Sequence, residues 1–155
     1  MFSVLDDALP LKVLQGDDPA LALARHVGLR PRGWEKAAYA LEPRSGLDRI
    51  AGLLAERLAD RRDLRFLKLD VIWGSDESPD RMAAFRERTG LDAGAILRRS
   101  VVADGAMPED WAALLGFTLN FGWDAALVSR SAGALVWFSH DEYLRSTPPS
   151  LVRGV

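Results

Sequence analysis

The chain contains no cysteine. Disulfides, thiol nucleophiles and thiolate metal sites are therefore excluded, and the absence agrees with a reducing compartment. Histidine is scarce, with His26 and His140 the two present, so a metal site built on either would draw its other ligands from distant parts of the chain. No run approaches the ~18 apolar residues of a membrane span. The opening "MFSVLDDALPLKV" has neither a basic n-region nor a long apolar h-region, so the expectation is a soluble, cytoplasmic protein without an export signal. The phosphate-cradling patterns G-x-x-x-x-G-K-[ST] and G-x-G-x-x-G are missing, as is the G-x-S-x-G nucleophile elbow. An excess of one charge is missing too. With 20 basic and 22 acidic residues and a net charge of −2, there is no overall field to attract a polyanion, and nucleic-acid binding would need a local basic patch.

What is present is core-forming material. The 155 residues are 48% hydrophobic and 27% charged and include five Trp, a balance that supports one domain spanning 1–155 and does not resemble disorder. Arg outnumbers Lys 17 to 3, which together with abundant Ala and Leu suggests a GC-rich bacterial genome.

Punctuation along the chain predicts alternating helices and strands. Asp18 as N-cap, Pro19 at the first helical position and Gly28 beyond the end define a first helix. "WEKAAYALEP" reads as a strand with Ala37, Tyr39 and Leu41 on one face, ended by Pro43. "SGLDRIAGLLAERLADRR" begins like a capping box, Ser45 with Asp48, and aligns Leu47, Ile50, Leu54 and Leu58. "LRFLKLDVIW" suits a strand inside the sheet. Ser78, Pro79 and Gly90 bracket a helix whose buried pair is Met82 and Phe85. "AILRRSVVA" carries Arg98 and Arg99 and reads as an edge strand. "MPEDWAALLGF" forms a helix with Gly116 as its stop. "WDAALVS" and "ALVWFSH" form a hairpin across "RSAG", with Gly133 at positive φ. The pattern also allows a further strand at "LKVLQ". The expected fold is an α+β sandwich: a mixed, largely antiparallel sheet with helices packed on it, ending in a β-hairpin and a short helix.

Polar clusters supply the candidate chemistry. Ser139, His140, Asp141 and Glu142 invite a metal or proton-relay reading, but consecutive residues diverge on a strand or a helix. The same four residues fit a capping box that starts a helix. His26, near the end of the first helix, suits the last carbonyls. The loop "WGSDESPD" places Asp76, Glu77 and Asp80 after a strand expected inside the sheet, where they could hold Mg²⁺ or a cationic surface, or answer the next helix's dipole. Asp70 and Asp124 interrupt apolar strands, and a buried carboxylate needs a partner or a function. The hairpin brings Asp124 and His140 to one end, where pairing could pin the register or form a site. Trp73, Trp111 and Trp137 lie in apolar runs and read as core, and Trp34, beside "RPRG", as the exposed tryptophan.

The segment "GWDAALVSRSAGALVWFSHDEYL" resembles the terminal hairpin of several small bacterial immunity proteins, which pair a "WD" strand with one ending in "SHD" and an aromatic. The resemblance covers about 23 of the 155 residues. It implies a cytoplasmic protein that binds and neutralises a cognate toxin without catalysis or a cofactor. On that implication the contact candidates are Trp34, Asp76, Glu77, Asp80, Asp141, Glu142 and Tyr143. The competing expectations are a small-ligand or metal-dependent enzyme using Asp70, Asp76 and Asp80, or His140 with Asp124 and Asp141, and a structural subunit of a larger assembly.

Overall fold

A computed structural model describes residues 1–69 and 78–155. Among these residues seven strands form one sheet in the order β1-β4-β3-β5-β6-β7-β2, and every paired strand runs antiparallel to its neighbour. The strands are β1 (Phe2–Ala8), β2 (Glu35–Ala38), β3 (Arg65–Lys68), β4 (Arg99–Ala103), β5 (Ala125–Ser129), β6 (Ala134–Ser139) and β7 (Tyr143–Thr147). Four helices accompany them among the described residues: α1 (Pro19–His26), α2 (Arg44–Leu58), α3 (Pro79–Thr89) and α4 (Pro108–Phe121). No helix among the described residues is long and apolar enough to cross a membrane. The fold is α+β, as the alternation of helical and strand patterns implies.

The strand pleat sorts side chains into two cores. Phe66, Val101, Leu127, Val136 and Phe138 face α2, α3 and α4. Leu67, Ala126, Val128, Leu135 and Trp137 face α1 and a short 3-10 turn at Leu11–Leu14. The two cores differ in thickness. On the first side Ile50, Leu54 and Leu58 of α2 meet Trp111, Leu114 and Leu115 of α4, each fully buried leucine being worth about 1.5–3 kcal/mol. On the second side α1 offers Ala20, Leu23 and Ala24.

Several local expectations hold and others are corrected. Asp18 caps α1 by accepting from the Leu21 N–H; Ser78 caps α3 through the Arg81 N–H, and Gly90 ends it at φ 72°. Helix α2 begins one residue before Ser45, with Pro43 at its N-cap and no side-chain cap. Leu41 is 99% exposed because β2 ends at Ala38 and the chain turns there, Glu42 N–H bonding to the Tyr39 carbonyl. Helix α4 runs past Gly116 to Gly122, which ends it at φ 69°. Gly116 lies buried inside the helix, where a Cβ would meet Asp48 Oδ1 of α2 at 3.4 Å, an ordinary contact distance. β4 is an interior strand, because Phe2–Ala8 pairs along its outer side. "LKVLQ" forms the 3-10 turn rather than a strand.

The β5–β6 loop shows how the hairpin is fastened. Gly133 takes φ 60°, and the Asp63 carboxylate accepts from Ser131 N–H at 2.8 Å, Ser129 Oγ at 2.7 Å and Ser131 Oγ at 2.8 Å. Burial pushes the Asp63 pKa up, but these hydrogen bonds outweigh it and bring it down to about 2. A carboxyl lowered in the folded state stabilises above its ordinary value near 3.8, and that stabilisation is lost as pH falls toward 2. Asp63→Asn should flatten the acid limb of the stability curve between those values. Denaturant unfolding at several acid pH values measures this, and an unchanged slope would disprove the assignment.

Candidate functional site

The β5–β6 register, with Ala125 opposite Phe138, brings the residue before β5 beside the residue after β6. These are Asp124 and His140. Asp124 is 8% exposed and accepts the His140 backbone N–H at 2.8 Å. Both of its oxygens lie 2.9 Å from His140 Nδ1, so the proton on that nitrogen points at the carboxylate. Asp124 also anchors the adjacent strand, its carbonyl accepting from the Leu69 N–H at 2.8 Å. The opposite imidazole nitrogen, Nε2, lies 3.4 Å from Asp141 Oδ1. The hydrogen bond to Asp124 raises the His140 pKa above 6.5; burial opposes it, and the charges of Asp124 and Asp141 add to the rise.

The turn after His140 does not begin a helix. It leads into β7, which pairs with β6, and Glu142 occupies the left-handed region at φ 64°. Ser139 Oγ accepts from the Asp141 N–H at 3.1 Å, and the Glu142 N–H donates to the Ser139 carbonyl at 3.0 Å. Tyr39 fastens the turn from the side: its hydroxyl donates to the Ser139 carbonyl at 3.0 Å and its N–H to the Glu142 carbonyl at 2.9 Å. Burial raises the Tyr39 pKa, and the charges of Glu142 and Asp124 push it the same way, so the phenol stays protonated and remains a donor.

A cleft of about 480 Å³ opens beside this turn, with Leu11, Asp18, Trp137, His140, Tyr143 and Arg145 among its lining residues. That size falls within the range of small-molecule sites. Arg145 reaches across from β7 to donate to the two Asp18 oxygens from Nη1 and Nη2, at 2.7 and 3.1 Å. The Asp18 pKa is lowered chiefly by that contact, against burial, with the Leu21 N–H assisting. Arg145 also lies 4.2 Å from the centre of the Trp34 ring, and Lys36 Nζ sits 4.1 Å from the centre of Tyr143. Both are cation–π geometries.

Comparisons with family models, with curated proteins and with solved structures find no match.

The sequence-derived candidates therefore separate in space. Asp141, Glu142 and Tyr143 share the turn and the start of β7, and Trp34 joins them through Arg145. Trp34 is half-buried against the α1-side core rather than fully exposed. Asp80 is exposed in the first turn of α3, whose Phe85 packs into the opposite core. Asp70, Trp73, Asp76 and Glu77 lie outside the described residues. Among the described residues no three His, Asp or Glu side chains converge to hold a metal ion. The residues missed from sequence are Tyr39, Asp18 in its second role, and Arg145, which sits in a strand read as a helix.

Proposed function

We propose that the protein is a partner-binding protein that neutralises a bacterial toxin in the manner of the small immunity proteins its terminal hairpin resembles. The carrying observation is the state of His140: both imidazole nitrogens face carboxylates. An imidazole so placed fastens the turn through its Nδ1 contact with the buried Asp124, while Nε2 faces the exposed Asp141 carboxylate. The turn in consequence holds a fixed shape and presents the Asp141 side chain, 72% exposed, beside Glu142 and the aromatic Tyr143. A preorganised acidic tip next to an aromatic suits a basic protein surface, where charge speeds encounter and rigidity limits the ordering cost.

Pull-down against toxins encoded next to the gene, paired with co-expression protection, tests this reading. The expected result is capture of one neighbour and rescue of growth, with Asp141→Lys slowing association about tenfold or more at low salt. No capture and no protection with any neighbour would sink it. A second reading, a small-ligand domain, draws support from the size of the adjoining cleft.

A further inference from the structure

A second recess opens at the opposite end of β5, and its charge is of the other sign. The registers Arg65 to Val128 and Leu67 to Ser100 place these four residues on the α1 face of the sheet, alternating with the residues that face α2 and α4. Just beyond the strand ends lie Arg98, before β4, and Arg130, after β5. The recess of about 300 Å³ has Arg65, Arg98, Arg130 and His26 at its walls and Leu67 and Val128 among its apolar residues. A protein with a net charge of −2 thus gathers three guanidinium groups and an imidazole around one cavity.

Two carboxylates share the recess, and both are already engaged. Asp7 accepts from the Ser100 N–H at 2.9 Å and from Ser100 Oγ at 2.6 Å, with Arg65 3.9 Å away. Asp63 is occupied by Ser129 and Ser131. Among the described residues the Arg98 and Arg130 guanidinium groups make no hydrogen bond or ion pair. Arg98 is the more telling of the two. It is half-buried, and its backbone sits at φ 55°, a region that β-carbon-bearing residues seldom occupy. Two backbone bonds hold it there, its N–H to the Lys68 carbonyl at 2.7 Å and its carbonyl from the Leu9 N–H at 2.8 Å. A strained arginine that lines a cavity and lacks a partner is the pattern of a site awaiting an anion. Arg130 rests against Gly28 at the end of α1, where a Cβ would meet its guanidinium at 3.3 Å; glycine lets the side chain lie close to the helix.

We propose that this recess binds the phosphate group of a small phosphorylated ligand, with Arg98 and Arg130 taking the phosphate oxygens and the apolar residues receiving the ligand body. Two guanidinium forks match a dianionic phosphate in both charge and geometry. The small volume of the recess and the flanking Asp7 and Asp63 disfavour a continuous nucleic-acid backbone, which would be repelled along the rim. The inference is independent of the toxin-binding reading, which concerns the other end of the sheet.

Calorimetric titration of the full chain with inorganic phosphate, pyrophosphate and adenosine monophosphate tests it, with a thymidine decanucleotide as the polyanion arm. Saturable binding of at least one small probe is expected, weakened tenfold or more in Arg98→Gly and in Arg130→Gln. Arg98→Gly relieves the backbone at φ 55°, so loss of binding in that variant cannot be blamed on failed folding, and a thermal melt of each variant confirms it. No heat with any small probe, undiminished affinity in both variants, or binding by the decanucleotide alone would each overturn the proposal.

Discussion

Trp123→Ala is expected to destabilise the protein by about 3–5 kcal/mol, the range for removing a large aromatic from a packed core. Trp123 is fully buried at the junction of α3, α4 and β5. Its ring lies 5.0 Å from Phe121 and 5.2 Å from Phe85, the latter edge-on, and Phe85 in turn meets Phe117 edge-on at 5.4 Å. Such pairs add about 0.5–1.5 kcal/mol each beyond the area they bury. The indole also covers a charge. Lys68, 7% exposed, places its Nζ 4.7 Å from the Trp123 ring centre and donates to the Ala93 carbonyl at 3.3 Å. Truncation would leave a cavity and remove one favourable face from a nearly buried ammonium, so the loss should sit toward the upper end. Trp123→Phe, which keeps an aromatic face, should cost clearly less. Urea unfolding followed by circular dichroism measures both; a loss under about 1 kcal/mol for alanine, well below the core-truncation range, would show that the neighbours collapse into the space.

Whether a feature could be read from sequence depended on how far apart its determinants lie. Local punctuation was sufficient for α1 and α3, because Asp18, Pro19, Ser78, Pro79 and Gly90 act within one turn of themselves. It failed where a residue's role is tertiary. Gly116 looks like a helix stop, yet it lies buried inside α4, which runs on to Gly122. Arg98 and Arg99 look like edge guards until β1, drawn from the first residues of the chain, covers that side. Ser139 to Glu142 satisfy the capping-box pattern, but Glu142 takes a left-handed conformation uncommon for its type and the chain turns back as β7. The pairing of Asp124 with His140 was within reach because a short hairpin joins them. Asp18 and Arg145 are separated by 127 positions, and no local pattern links them. The recess at Arg98 and Arg130 was equally hidden, since its cations come from separate strand ends.

The Asp124–His140 pair supplies the other large effect. Asp124→Asn is expected to lower stability by about 1.5–3 kcal/mol at pH 6, the net worth of a hydrogen bond to a charged group. An asparagine oxygen can still accept the His140 backbone N–H, but its amide then offers a donor where Nδ1–H also donates, and the negative charge is gone. The pH dependence follows from the sign of the shift. Asp124 raises the His140 pKa in the folded state above its ordinary 6.5, so the extra stabilisation is fully present below 6.5 and disappears as pH rises through the folded value. The gap between wild type and Asp124→Asn should therefore be widest in mild acid and narrow in base. Denaturant unfolding from pH 5 to 9 measures that gap, and a gap independent of pH would show that the imidazole is not held as a cation by Asp124. Proton NMR of the His140 ring provides a second readout: its midpoint should lie above 6.5 in the wild type and fall in the variant, where burial is left opposed only by the weaker influence of Asp141. Because Asp124 is almost wholly buried while Asp141 is exposed, the two substitutions also divide the roles at the turn. On the proposed toxin-binding reading, loss of Asp124 should loosen the tip and weaken capture most where His140 would have been charged, whereas Asp141→Lys should weaken it most at low salt, the effect shrinking as salt screens the charge, while leaving the fold intact.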